Sequence, residues 1–175
     1  MASSSKNPII LIGTPLGNVK VEIFEHEAPI TSKNFLRYVD GKLYDGTSFL
    51  RTVKLENQLD SEIKIELISG GVVSREKGYP LLEHETTQVT GLKHVNGTIS
   101  MSRGKPGSAT SRFFVCVGDQ PELNYGGRRN PDGQGFAAFG KVVEGMDVIR
   151  MIHKQPFEGQ MLKPPIEISS IHRIN

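Results

Sequence analysis

The chain has 175 residues, enough for one domain that buries roughly 70% of the surface its unfolded form would expose, so folding needs neither disulfides nor a metal staple. Hydrophobic residues make up 37% and charged residues 23%, which argues against a disordered tract or a fibrous repeat. With 21 basic and 19 acidic residues the net charge is +2, and no basic run concentrates it as a nucleic-acid backbone would require, so no nucleic-acid partner is expected.

Residues 1–6 are small and polar, and the apolar run at 9–12 is shorter than the roughly 7 to 15 residues of a secretory core. No stretch approaches the length of a membrane span. The expectation is one domain over 1–175 with a disordered tail at 1–7, a cytoplasmic location and no membrane partner. Cys116 lies in the apolar run Phe113, Phe114, Val115, Cys116, Val117, so it reads as a small buried side chain without a partner for an internal disulfide. Nothing points to a large apolar interface, and a monomer is expected.

In chain order, two stretches rich in Ile, Leu and Val between Ile9 and Phe24 flank Gly13, Thr14, Pro15, Leu16 and Gly17, the layout of two strands joined by a turn. Val19, Val21 and Ile23 alternate with Lys20, Glu22 and Phe24, as in a half-buried strand. Pro29 opens a helical spacing of Phe35, Leu36 and Val39 that Gly41 can stop, predicting a helix over 29–40. Short apolar runs at 48–53, 64–68, 97–101, 113–117 and 137–143 follow, each flanked by turn formers.

After Gly145, Met146 and Ile149 share a face with Ile152 or His153, and Asp147 sits where a helix N-terminus favours negative charge. The run at 166–171 alternates again and predicts a closing strand. About seven or eight strands against two helices imply a mostly antiparallel barrel or sandwich with helical caps. Two polar stretches, 54–62 and 118–135, lack periodicity, and loops of that length in a small domain often carry function.

Several chemistries fail on spacing. His26 between Glu25 and Glu27, and His84 between Glu83 and Glu85, lack the paired histidines of a helix-face metal site, so no metal is expected. The segment 97–105 ends in Gly-Lys, but its glycines are too far apart for a phosphate-binding loop and Pro106 follows. No Gly-x-Ser-x-Gly elbow singles out a nucleophile.

Four segments mean more together: Thr47-Ser48-Phe49-Leu50-Arg51; Gly97-Thr98-Ile99-Ser100-Met101-Ser102-Arg103-Gly104; Ser108-Ala109-Thr110-Ser111-Arg112-Phe113-Phe114-Val115; and Gly135-Phe136-Ala137-Ala138-Phe139-Gly140-Lys141-Val142-Val143-Glu144-Gly145-Met146-Asp147. In this order and spacing they resemble the cyclophilin family of peptidyl-prolyl cis-trans isomerases, over nearly the whole chain. The resemblance implies a mainly β fold, a closed eight-stranded antiparallel barrel capped by two α-helices. It also implies a cofactor-free isomerase acting on X-Pro bonds in peptides and unfolded proteins, in aid of folding.

The same resemblance makes Arg51 the catalytic arginine and Phe114, Leu67, Leu123 and Phe136 the proline pocket, with Ser102 holding the substrate backbone. Ser69 falls where the family has Gln, and Glu66 where it has Phe. These departures leave a second reading, a proline-peptide binding module with weakened catalysis. A lipocalin-type ligand barrel, a third reading, is disfavoured by the helices and the motif order. The stretch between Arg51 and Ser69 is longer than the common pattern, as in a bacterial-type variant, and is expected to reshape one rim of the groove. Arg112 replaces a common Gln, adding positive charge. Glu122 replaces the aromatic that binds cyclosporin, so weak cyclosporin binding is expected.

Overall fold

In a computed structural model, which describes residues 6–175, the two strands at the start of the chain are β1 (Ile9–Thr14) and β2 (Gly17–Ile23), paired antiparallel with Ile10 opposite Val21 and Ile12 opposite Val19. The disordered tail expected over 1–7 lies, for residues 1–5, outside the described residues. Helix α1 (Pro29–Asp40) begins with Pro29 in its first turn and buries Phe35, Leu36, Tyr38 and Val39. No side chain at its own N-cap serves it. The Glu85 carboxylate does so from a distant segment, accepting from the Ile30 and Thr31 amides at 3.2 and 2.9 Å and from the Thr31 hydroxyl at 2.8 Å. The Glu-His-Glu cluster at 83–85 thus contributes a helix cap.

The remaining elements are β3 (Ser48–Val53), β4 (Leu67–Gly70), the single-turn helix α2 (Thr87–Thr90), β5 (Thr98–Met101), β6 (Phe113–Cys116), β7 (Ala137–Glu144), helix α3 (Met146–His153), β8 (Phe157–Glu158), β9 (Met161–Glu167) and β10 (Ser170–Arg173). They form one antiparallel sheet in the order β10-β1-β2-β7-β5-β6-β4-β3-β9-β8. Residues 161–167 pair with β3 and residues 170–173 pair with β1, so both flanks of the sheet meet on one continuous stretch of chain. At the changeover the Ile168 amide donates to Thr47 O and the Ser169 amide to Gly13 O.

About seven or eight strands and two helices were expected, and ten strands, three α-helices and two single-turn 3-10 helices (Leu55–Asn57 and Pro121–Leu123) are observed among the described residues. The closing strand is divided where its backbone changes partner, and Gly159 and Gln160 turn the chain into the additional short β8–β9 pair. The third helix, α2, is one turn long. The strand expected over 64–68 instead starts at Leu67, because the Gln58 side chain occupies both the amide and the carbonyl of Ile65.

Strand periodicity places the chemistry. Phe113 and Val115 join the main core with Ile68, Ile99, Phe49 and Phe139, whereas Phe114 and Cys116 join a second apolar cluster with Val53, Ile65, Leu67 and Leu123. Alternate residues of β6 therefore serve opposite faces of the sheet, and both faces are covered. The main core is dense in aromatic contacts, with Phe113 edge-on to Phe35, Tyr44 and Phe49 at 5.6, 5.4 and 5.9 Å.

Candidate active site

The second cluster lies against a row of side chains set by strand register. Arg51 on β3 is opposite Ser69 on β4, Ser69 is opposite Phe114 on β6, and Phe114 is opposite Ser100 on β5. Directly opposed residues in antiparallel strands project to the same face, so residues far apart in sequence form one line. The glycine pair after Ser69 makes this packing possible. A Cβ on Gly70 would collide with the backbone of Ser48, and Gly71, at φ +75°, would collide with the Phe113 ring.

Arg51 is half-buried. Its Nε donates to Gln160 Oε1 at 2.8 Å, and Nη2 donates to the same oxygen. Burial, and then the charges of Arg112 and Arg129, lower its pKa. The side chain borders a cavity of about 310 Å³ that it shares with Ser102, Thr110 and Arg112, and no carboxylate is among the lining residues. Ser69 is 2% exposed and its hydroxyl has no hydrogen-bond partner.

Phe114, Leu67 and Leu123 pack together, with exposures of 2%, 5% and 0%. Phe136 is partly buried against them, edge-on to Phe114 at 5.2 Å. Three of the four residues expected to form the proline pocket thus make a closed apolar layer, and Phe136 carries its more exposed surface. Glu66 does not join the cluster. Its carboxylate lies 3.7 Å from His153 Nε2 on α3.

Several residues here were not apparent from the sequence. His94 stacks on Phe114, its Nδ1 2.8 Å from Asn124 Oδ1 and its Nε2 2.9 Å from Ser100 Oγ. Burial lowers its pKa to about 4, so at neutral pH the ring is uncharged, with the proton on Nδ1 and Nε2 accepting from Ser100. Arg103 donates to Gly135 O and to both oxygens of Asp132, and its guanidinium lies 5.2 Å from the Phe136 ring. Hydrogen bonding to Arg103, and then to the Gln134 amide, holds the Asp132 carboxyl below its usual pKa. Arg129 reaches from the 118–135 stretch to Ser61 Oγ and Ile63 O. No local pattern marks these residues, because each acts on a partner distant in sequence.

The family model described as cyclophilin type peptidyl-prolyl cis-trans isomerase/CLD matches residues 9–173, nearly the whole of the chain. The chain is a cyclophilin. Among its relatives, a peptidyl-prolyl cis-trans isomerase of Acinetobacter baylyi is 32% identical over 97% of this chain and 87% of its own length. Peptidyl-prolyl cis-trans isomerase cyp18 of Streptomyces antibioticus is 36% identical over 81% of this chain and 80% of its own. A Cryptosporidium parvum cyclophilin type isomerase shares the fold, with a TM-score of 0.77 at 23% identity over 97% of this chain and 98% of that one. The activity of this cyclophilin is peptidyl-prolyl cis-trans isomerisation.

Proposed function

We propose that this cyclophilin accelerates rotation about X-Pro bonds in peptides and unfolded proteins, and so assists folding, with Arg51 as its catalytic residue. Rotation breaks amide resonance against a barrier of about 18–20 kcal/mol. In the twisted state the proline nitrogen regains a lone pair, and a fixed, permanently charged donor stabilises that state more than the planar one. Neither a nucleophile nor a cofactor is required. The observation that carries the reading is the setting of Arg51, a half-buried guanidinium in register with Phe114 and bordering an open cavity.

In this reading Phe136 and the layer formed by Phe114, Leu67 and Leu123 receive the proline ring, and the apolar surface keeps water from weakening the field of Arg51. Ser102, which lines the cavity beside Arg51, holds the peptide backbone, and the buried Ser69 stands between Arg51 and Phe114 in the row below the substrate. The protein acts as a monomer in the cytoplasm, which sedimentation and cell fractionation check.

NMR exchange spectroscopy on an Ala-Pro peptide tests the assignment. Arg51→Ala should reduce the catalysed exchange rate at least about tenfold, equivalent to roughly 1.4 kcal/mol of transition-state stabilisation. An unchanged rate in that variant overturns the role of Arg51.

A further inference from the structure

A flexible, hydrated arginine makes a poor electrostatic catalyst, because its charge must already stand where the transition state needs it. The strand neighbours of Arg51 do not fix its head. Ser69, across β4, has a hydroxyl without a partner, and Met161, across β9, has no strong acceptor on its side chain. The guanidinium is held by Gln160, more than a hundred residues away in sequence, whose single oxygen takes both Nε and Nη2.

Gln160 is itself tied down at several points. Its carbonyl accepts from the Thr52 amide at 2.8 Å, its Nε2 donates to Asn57 O at 3.1 Å, and Gly159 before it supplies the positive φ of 63° for the β8–β9 turn. The amide thus lies between β3, the turn before β9 and the stretch inserted after Arg51.

We propose that Gln160 is a positioning residue for the isomerase reaction, its amide oxygen clamping one edge of the Arg51 guanidinium so that the remaining Nη1 donors stay free for the substrate. The choice of an amide follows from the chemistry. A carboxylate would hold the same edge more tightly but would neutralise the charge that the twisted bond responds to, whereas a neutral acceptor orients Arg51 and leaves its field intact. No carboxylate is among the residues lining the cavity beside Arg51, and the nearby Asp132 is taken up by Arg103.

The proposal rests on the assignment of Arg51 as the catalytic residue, and its test separates the two. Exchange rates on an Ala-Pro peptide are measured as kcat and KM for the wild type, Arg51→Ala, Gln160→Ala and Gln160→Glu. Thermal unfolding is followed for each. Gln160→Ala should lower kcat about fivefold to twentyfold with KM changed less than about twofold, since the clamp serves the transition state rather than ground-state binding.

Gln160→Glu keeps the size and the acceptor towards Arg51 but loses the donor to Asn57 O, so its Tm should fall slightly below that of the wild type while the folded protein still loses kcat. A merely structural clamp would lower the Tm of that variant and leave its kcat, measured well below the Tm, at the wild-type value. In the double variant Gln160→Ala, Ser69→Gln, an amide introduced directly across from Arg51 should restore part of the lost kcat. Loss of activity in Arg51→Ala together with wild-type kcat in Gln160→Ala or Gln160→Glu overturns the proposal and leaves the role of Arg51 standing. Full activity in Arg51→Ala overturns that role, and the positioning proposal with it.

Discussion

Arg51 carries its charge in a half-buried position among other cations, and burial is the first cause that lowers its pKa, followed by Arg112 and Arg129. A guanidinium starts so high that it stays protonated at neutral pH, where a lysine in the same place could release its proton. The surroundings of Glu122 point the other way for an apolar ligand. Its carboxylate is 2.5 Å from Arg128 Nε, and an apolar cyclic peptide resting there would have to desolvate an ion pair while gaining no indole donor. Cyclosporin should therefore bind with a dissociation constant above about 1 μM, weaker than roughly −8 kcal/mol. Titration calorimetry checks this, and a submicromolar constant would refute it.

At the scale of elements, two stretches without strand or helix periodicity turn out to be ordered by side-chain clamps. Gln58 occupies the amide and carbonyl of Ile65 and also donates to Lys54 O, closing the segment between β3 and β4 on itself. Arg129 then ties that segment to the 118–135 stretch through Ser61 and Ile63. Burial lowers the pKa of Arg129, so its charge is partly withdrawn from water, and these hydrogen bonds compensate it. Arg129→Ala should cost about 1 kcal/mol of global stability and release the segment locally. Hydrogen exchange at the amides of Ser61 and Ile65 should accelerate more than at β6, and equal protection in variant and wild type would rule out the clamp.

For the whole molecule, His94 couples packing to pH. It lies between Phe114 and the 118–135 stretch, neutral and nearly devoid of solvent contact, with both ring nitrogens engaged. Its folded pKa of about 4 lies below the ordinary value of 6.5, so as pH falls below 6.5 the unfolded chain takes up a proton that the folded chain refuses. Stability from this group is complete above pH 6.5 and is lost progressively as pH falls to about 4, where the loss reaches roughly 3 kcal/mol. Urea unfolding at pH 7 and pH 4 measures it. His94→Gln, which cannot titrate, should flatten that part of the profile, and an unchanged slope would show that other groups carry it.

Local patterns in the sequence determined the strands of the first hairpin, the helices at 29–40 and 146–153 and the mainly β class, because apolar periodicity and the positions of Pro29, Gly41 and Gly145 act over a few residues. The motifs carrying Arg51, Phe114 and Phe136 were legible only through their resemblance to the cyclophilin family. Tertiary structure decided what depends on assembling the sheet. It divided the last strand between two partners, placed Glu85 on the N-terminus of α1 and set Arg51, Ser69 and Phe114 in one row. It also brought Gln160 to Arg51 across 109 positions of sequence. Side-chain hydrogen bonds between residues so far apart leave no period to read, since their geometry exists only once the strands have assembled.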